Sequence, residues 1–474
     1  MNFNSIDNNN NPFLTKIGDK DYYLKMILFN DRGDVMPLNK NALRQIIIND
    51  NIFNPFHTAE MYLSNDMGVI ERSDFAFTFL GNGRDFLVFE FMPNIGVPNG
   101  YEDEKLREQY MLKFYFVVSS CVEVQIQNST VKHLQLVEVS QFLLNEKSSL
   151  FNSVDVLLEQ GVELLSLVND TNAARSAKTG DIIAAILKQG ITTDIVLNEM
   201  DKGAESLFIN SAGNITYNDL LNYVRVYHKG EKNYDFCILS QDRYKKSFSN
   251  IPISKIFKNH TQNVIETFVF PGVSKDINQN KLTWSLSPII YAESQILNFN
   301  IEKPAGKHTI EHFINTNYIS SAKQFKTLIM DLKTGNMINL LDVYKSQFVM
   351  PFKDLFKGYE LDVNIILNND RKQGSVYGDV RGAEPRNVSA SLSNLNQINS
   401  MLFLSDVYTF TLQGITSRQA CKFVDVYRVD NATIEITQYD KNNLGRHFIT
   451  NVRHIISQDT YSNIVETVKP YIIK

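Results

Sequence analysis

Residues 406–428 read DVYTFTLQGITSRQACKFVDVYR, and residues 444–470 read LGRHFITNVRHIISQDTYSNIVETVKP. In the first stretch Tyr408, Phe410 and Leu412 alternate with Val407, Thr409 and Thr411, the period of two that gives a strand one buried face. Gly414 interrupts the run, and Phe423 to Val429 resumes it with β-branched and aromatic residues. Ile434 to Thr437 is a short third run. The fourth begins after Leu444-Gly445, with Phe448, Val452 and Ile456 assigned to one face, and Tyr461 to Val468 alternates again. Five short strands joined by tight turns predict a small antiparallel sheet that closes into a barrel to hide its edges.

The whole chain, 474 residues and 54.3 kDa, is too long for one ordinary core and predicts two to four domains. A hydrophobic fraction of 43% with 11% aromatics marks a folded protein. The net charge of -5 argues against a protein that grips nucleic acid by its phosphates. An acidic or neutral wall does suit nucleic acid that passes without being held. Cys121, Cys237 and Cys421 are far apart and odd in number, which fits small buried hydrophobes in a reducing compartment better than disulfides. No signal peptide is visible in the Asn-rich start, and no apolar run is long enough for a transmembrane helix.

In chain order, residues 1–14 read as a flexible arm. Strands are predicted at Asp21–Asn30, Leu43–Asp50 and Ala59–Leu63, with a bend at Asn54-Pro55. Phe75, Phe77 and Phe79 alternate into Gly81-Asn82-Gly83, read as a hairpin turn and not a phosphate loop, since no third glycine or helix follows. Strands Phe86–Phe91, Leu112–Gln127 and His133–Ser140 complete a first all-β unit, residues 15–145. From 146 the period changes to 3.6: Val154, Leu157, Leu158, Val162 and Leu165 mark one helix, Thr179 to Gly190 a second, and the capping box at Thr216–Asp219 opens a third. With a strand at Asp235–Ser240 and an apolar patch at Ile251–Phe257 they form a mixed helical domain, 146–285. Strands at Gln295–Ile301 and Phe325–Leu332 begin a second β unit, 286–335 plus 400–474. Residues 336–399 interrupt it as an inserted domain with helices near Leu340–Tyr344 and Phe352–Phe356, a strand at Leu361–Leu367 and a polar loop at Asn368–Arg386. The predicted fold class is α+β, with two antiparallel β-barrels, a mixed domain between them and an insertion in the second.

The succession of a strand into GITSR, then FVDVYR, then LGRHFITNVRH, then spaced Tyr461 and Lys469 resembles the last barrel of baseplate central hub proteins of contractile-tailed bacteriophages, which are related to the hub half of VgrG-type spikes. Gly83, Asp85 and Phe86 to Val88 resemble the glycine-rich turn and apolar strand of the first barrel in that family, and the helices from 146 resemble its mixed domain. The resemblance implies tail-tube-like barrels in a homotrimer with near-sixfold shape, joining a six-fold tail tube to a three-fold central spike. It also implies partners: the spike, tail tube or tube-initiator proteins, baseplate wedge proteins, the tape-measure protein, and DNA that passes through the lumen without specific binding. The expected location is the tail baseplate of a virion assembled in the host cytoplasm, with no membrane. The chain stops at Lys474 without a spike repeat, so a separate spike chain is expected.

Chemistry has one sharp candidate, His308-Thr309-Ile310-Glu311-His312, the H-x-x-E-H pattern of inverted zinc peptidases. Pro304 and Gly306 before it and Asn315 to Asn317 after it leave barely two turns of helix, so a surface or interface loop is the preferred reading. His447 and His454 are seven apart. Alternation puts them on opposite faces, where they cannot share a ligand, and both are expected to be surface or interface hydrogen-bonding groups. Carboxylates such as Glu360 and Asp362 are scattered and cannot be paired from sequence. The expectation is therefore a structural protein and no enzyme, without catalytic, cofactor-binding or metal residues and without cofactors. The rival readings are the hub of another contractile injection system, a single-barrel tail-tube or distal-tail protein, and a zinc hydrolase using His308, Glu311 and His312.

Overall fold

The computed structural model describes residues 12–64, 84–270 (apart from 98–99, 127–128, 163–174, 192–194, 205, 229, 232–236, 245–246 and 260–261), 294–302, 326–331, 337–339, 363–368, 379–382, 407–428 and 444–468. Near the N-terminus the alternating runs become β1 (Phe13–Ile17), β2 (Lys20–Asn30), β3 (Val35–Pro37), β4 (Leu43–Asn51), β5 (Asn54–Ser64), β6 (Asp85–Pro93), β7 (Leu112–Ile126) and β8 (Ser129–Glu138). They pair antiparallel in the order β1-β2-β6-β7-β8-β5-β4, with β3 on β2. Alternate residues of all of them, from Ile17 on β1 to Ile46 and Ile48 on β4, meet in one apolar core, so the sheet curls round its own inner face. Its strand β6 is buried on both faces, because Phe86 and Val88 pack outward with Ile27, Phe29 and Val139. That is why FLVFEFM is apolar at every position but Glu90.

Three local expectations change here. The chain turns at Ile52-Phe53, before Asn54-Pro55: Asn51 pairs with Asn54, the Asn51 side chain accepts from the Phe53 amide at 2.8 Å, and Pro55 sits inside β5. The strand expected to reach Ser140 ends at Glu138, where the chain turns helical from Val139. A short helix α1 (Glu104–Tyr110) precedes β7, started by Asp103, whose carboxylate accepts from the amides of Lys105 and Leu106. Phe75 to Gly83 lies outside the described residues.

The middle of the chain alternates helices and short strands: α2 (Val139–Glu146), β9 (Ser148–Asn152), α3 (Ser153–Glu159), β10 (Ala177–Lys178), α4 (Thr179–Gly190), β11 (Val196–Met200), β12 (Ser206–Thr216), α5 (Tyr217–Tyr227), β13 (Cys237–Gln241), β14 (Ser247–Pro252) and α6 (Ile253–Lys258). Helix α3 is shorter than the sequence suggests. Gly161, at φ 85°, lets the Gly161 and Val162 amides reach back to the Leu158 and Leu157 carbonyls, and the helix ends there. Helix α5 starts as expected, with the Thr216 hydroxyl accepting from the Asp219 amide at 3.1 Å. Ile182, Ile183, Ile186 and Leu187 of α4 and Leu220, Leu221 and Val224 of α5 are fully buried in a shared core that also takes in Phe56 from β5. Gly180 is required where α4 begins, because a Cβ there would lie 1.9 Å from the Asp201 carbonyl oxygen.

The remaining strands are β15 (Val264–Phe270), β16 (Ile296–Glu302), β17 (Lys326–Asp331), β18 (Met337–Asn339), β19 (Val363–Asn368), β20 (Asp379–Gly382), β21 (Val407–Gln413), β22 (Phe423–Arg428), β23 (Gly445–Ser457) and β24 (Tyr461–Val468). Strands β22, β23, β24, β21 and β16 pair antiparallel in that order. Two strands differ from the sequence reading. Strand β15, in the stretch assigned to the mixed domain, pairs parallel with β22. Strand β17, assigned to the second β unit, instead pairs with β18 and β19 in a separate three-stranded sheet. The polar loop 368–386 also contains β20, which extends the β12 sheet of the middle unit. The expected helices near 340–344 and 352–356 and the third C-terminal run, 434–437, lie outside the described residues.

The two β units are not separate sheets. Strand β4 pairs with β23 from Gln45↔Ser457 to Asn51↔Asn451, so one fourteen-stranded, mainly antiparallel sheet runs through both. Among the described residues no ladder closes the first unit. In the second, an isolated parallel bridge, Val269↔Gln295, links β15 to the start of β16.

Candidate functional site

The GITSR stretch lies against β24 and the β13–β14 turn. Gly414 donates its amide to the Tyr461 carbonyl at 2.8 Å. A Cβ at Gly414 would lie 2.2 Å from the Tyr461 ring, so only glycine lets the turn press this close. Four residues on, the side chain of Arg418 is fully buried. Its guanidinium donates to both carboxylate oxygens of Glu266 on β15 (2.8 and 2.7 Å) and to Asn463 Oδ1 on β24 (2.9 Å), and also to the Gln413 carbonyl. It lies 5.5 Å from the centre of the Phe268 ring. Asn463 Oδ1 also takes the Ile415 amide at 2.7 Å, and Ser294 donates to Glu266 at 2.9 Å. A planar fork is the group suited to such a bidentate, desolvated pairing.

Arg243, in the β13–β14 turn, is the second buried arginine. It donates to the Thr416 carbonyl of the GITSR turn and to the Gln109 carbonyl on α1 at 2.5 Å, so one side chain ties the middle unit to both β units. Burial lowers its pKa, against the opposing effect of Asp242. Arg225, on α5, donates to the Phe53 carbonyl in the β4–β5 turn at 3.2 Å, and burial lowers its pKa to about 10. At that value Arg225 remains charged at neutral pH.

Two histidines complete the seam. His57 on β5 faces Glu138, with Nδ1 at 3.2 Å from Oε2 and Nε2 at 3.9 Å from Asp50. Gln241 donates to the other Glu138 oxygen, and Asp50 accepts the Ala420 amide at 2.8 Å. Burial opposes a charge on His57, but the Glu138 hydrogen bond and charge, helped by Asp50 and Asp242, raise its pKa. His454 on β23 is the opposite case. Its Nδ1 accepts from the Tyr461 hydroxyl at 2.8 Å and the Asn463 amide at 3.0 Å, so the ring is neutral. Burial, then the charges of Arg243 and Arg418, hold its pKa down to about 3.

His447 and His454 are therefore not surface groups. His447 is fully buried and His454 is 2% exposed. Nor do they lie on opposite faces. The β23–β24 register slips by one residue between Ile449 and Asn451, and that bulge restores the parity that a spacing of seven breaks. Ile449, Val452 and Ile456 share their inner face. Phe448, before the bulge, is turned to the other side and packs on Phe423 with ring centres 5.1 Å apart.

His308, Glu311 and His312 lie outside the described residues. One metal-compatible trio was not legible in the sequence: Asp201, His228 and Cys237 bring donor atoms within 4.8 Å of one another. The His228 nitrogens already face Thr179 Oγ1 at 2.8 Å and Asn250 Nδ2 at 2.7 Å, and Asp201 accepts the Gly203 and Glu231 amides. The trio is thus a hydrogen-bonded packing centre, and a metal would have to break one of these bonds. Of the cysteines, Cys237 is buried and Cys121 and Cys421 are half-buried, and none forms a disulfide. Burial pushes the Cys421 thiol well above its ordinary value, so it is unreactive.

No family profile and no curated protein matches the chain. Among solved structures it is similar to a tail protein from Neisseria meningitidis MC58 (9% identity, TM-score 0.47, covering 95% of this chain and 97% of that one). It is also similar to the 43 kDa tail protein of prophage MuSo2 from Shewanella oneidensis (10%, 0.48, 94% and 98%). A third is a chain of the half-lidded Francisella PdpA-VgrG complex (10%, 0.43, 97% and 59%). By their own descriptions these neighbours are two tail proteins, one of them from a prophage, and a chain of a VgrG complex. At TM-scores below 0.5 the likeness assigns neither a partner nor a residue role to this chain.

Proposed function

We propose that the protein is the central hub of a contractile-tail baseplate, a structural component of the virion and not an enzyme. In this reading each β unit closes into a tail-tube-like barrel, the first from residues 15–145 and the second from β15, β16 and the C-terminal strands. The middle unit packs on the outside, and β17 to β19 belong to the insertion. Three chains form an axial ring, nearly six-fold in shape, that receives tube proteins on one side and a three-fold spike on the other. The tape-measure protein and then DNA pass through its lumen, which is polar and not strongly basic.

The observation that carries this reading is the continuous β4–β23 ladder, tied across by Arg243, which holds carbonyls of both β units. An adaptor between six-fold and three-fold partners needs two similar β units per chain, held at a fixed angle, and closed cyclic symmetry to stop runaway assembly. A ladder across the seam, with buried charge-assisted bonds on both sides of it, supplies the fixed angle. A reconstruction of the assembled tail tests the reading. Three copies on the axis, with both β units around the channel, are expected. Six copies per ring, or a position in the peripheral wedges, would overturn it, as would a lumen lined mainly by Lys and Arg.

A further inference from the structure

The middle unit rests on the sheet along β5. Strand β13 packs against it, and Phe56 of β5 enters the middle core, edge-on to Phe248 of β14 with ring centres 6.0 Å apart. The next residue, His57, brings its imidazole into the same joint. Its Nδ1 and its own backbone amide face Glu138 Oε2 at 3.2 and 3.1 Å. Three carboxylates act on this ring among the described residues. Glu138 and Asp50 belong to the first β unit, and Asp242 to the β13–β14 turn of the middle unit. Gln241, at the end of β13, crosses the joint and donates to Glu138 Oε1. Its own side-chain oxygen is buried with no hydrogen-bond partner, so the bond to that carboxylate is its hold on the sheet.

We propose that His57 is a proton-operated latch between the middle unit and the sheet, which seats the end of β13 while the imidazole is charged and lets it loosen when the proton leaves. Glu138 is 6% exposed, and a carboxylate buried so deeply needs a counter-charge or water. With His57 neutral the joint must open to admit water to Glu138, and Asp242 then faces Glu138 and Asp50 across it with no imidazolium between them. The middle unit is the side that yields. Strand β5 is laddered to β4 and β8 on its two edges, whereas Gln241 is held to the sheet by one side-chain bond. Arg243 keeps its grip on the Thr416 and Gln109 carbonyls, so the unit loosens without detaching, and the β4–β23 ladder stays closed. Burial opposes the charge on His57, but the Glu138 bond and the three carboxylates outweigh it, and the ring gives up its proton above the ordinary value of about 6.5. Three further titratable groups of this joint keep one form there. His454 is neutral, held down to about 3 first by burial. Burial pushes Cys421, beside Asp50, and Tyr461, beside His454, well above their ordinary values. The latch does not depend on the hub reading.

Amide exchange of the full-length protein between about pH 6 and about pH 8.5 tests it, with each rate corrected for the intrinsic pH dependence of exchange. Residues 239–242 and 247–250 are expected to lose protection by up to about tenfold per pH unit, the limit for release of one proton, while residues 46–48 and 454–456 keep theirs. His57→Gln retains a donor for Glu138 but has no proton to lose, and should show weak protection at 239–242 that does not vary over this range. Asp50→Asn keeps an acceptor for the Ala420 amide and removes one of the charges that hold the proton, so the midpoint of the change should move to lower pH. Protection at 239–242 that is constant with pH in the wild type, or that varies equally in His57→Gln, overturns the latch. So does opening of residues 46–48 and 454–456 in step with 239–242, for then the whole sheet is responding. Should His57→Gln fail to fold, an unmoved midpoint in Asp50→Asn overturns it alone.

Discussion

The two β units hold themselves together by different means. In the first, the inner core from Ile17 to Leu136 is apolar, and its buried charges, such as Lys25 and Glu90, sit at the alternate positions of β2 and β6. In the second, the apolar core from Phe268 to Val465 shares its interior with Arg418, His447, His454, Asn463 and Thr467, all at most 2% exposed. Apolar packing is forgiving, since any side chain of similar volume restores most of the energy. A buried polar network allows one arrangement and penalises the loss of any member. The second unit is thus the more exactingly specified, and its network is centred on the stretch that joins it to its neighbours.

The largest expected effect follows from that contrast. Arg418→Ala removes a fully buried guanidinium and leaves the half-buried Glu266, held by Ser294, without its cation, and should destabilise the protein by up to about 3–5 kcal/mol. In the first unit Leu87→Ala should cost about 2–5 kcal/mol by cavity formation. The sharper distinction lies in rescue. Adding Glu266→Leu to Arg418→Met should recover much of the loss, because removing both charges removes the desolvation penalty. Leu87→Met should cost less than about 1.5 kcal/mol without any partner change. Urea unfolding of these variants and of Arg418→Met alone, five in all, checks this. If the double variant is no more stable than Arg418→Met, the pair is not the organising contact of the second unit.

Acid should separate the units next. His454 is held neutral, with its pKa lowered to about 3. The stability this gives is fully present above the unfolded value of about 6.5 and is lost as pH falls towards 3. His57, with its pKa raised, contributes stability that is complete below about 6.5 and is lost as pH rises through its folded value. Maximum stability is therefore expected near pH 6.5. Between pH 5 and 6.5, above the ordinary carboxylate range, stability should fall with acid by up to about 1.4 kcal/mol per pH unit for each proton excluded. His454→Asn, which keeps an acceptor for Tyr461 and Asn463, should flatten that limb and leave the alkaline limb unchanged. An acid limb of the same slope in the variant would mean that other groups set it.

Gly414→Ala comes third. The new methyl would overlap the Tyr461 ring, and Tyr461 is also packed edge-on against Tyr22 and Phe91 of the first unit. Overpacking here should cost about 1–3 kcal/mol. Gly33→Ala, where a Cβ meets nothing within 4 Å, carries only the penalty of its φ of 90°, about 1 kcal/mol. Equal melting temperatures for the two variants would show that the Gly414–Tyr461 contact can relax.

Much of this was legible in the sequence, and the failures share a cause. The apolar strand runs at 21–30 and 86–91, the period-two runs at 407–412 and 461–468 and the capping box at Thr216 depend on neighbours in sequence, and each gave its element. The place of β15 and β17 in the sheets did not follow, because strand partners are chosen across the chain, and nothing local separates a strand that pairs with 423–428 from one that pairs with 363–368. His447 and His454 were misread because the bulge at Thr450 depends on the β24 register. The seam itself joins Asp50, Glu138, Arg243, Glu266, Arg418 and Asn463, which are spread over most of the chain. Its one sequence signal was the polar GITSR between two apolar strands, where an arginine four residues from a glycine turn can fold back onto the sheet.

The smallest effect tests whether the middle unit behaves as a part of its own. The Thr216 hydroxyl accepts the Asp219 amide and donates to the Asp219 carboxylate at 2.9 Å, at an exposed helix start with no contact to the seam. Thr216→Ala should therefore cost about 1 kcal/mol, the usual worth of such a cap. The loss should appear as faster amide exchange in the first turn of α5. Helix α5 also carries Arg225, which holds the Phe53 carbonyl of the β4–β5 turn. If the helix frays from its N-terminus only, exchange at Ile52 and Phe53 stays as in the wild type. If exchange there quickens in step with the first turn of α5, the middle unit and the first β unit open together, and Arg225 transmits the loss into the sheet that β4 shares with β23.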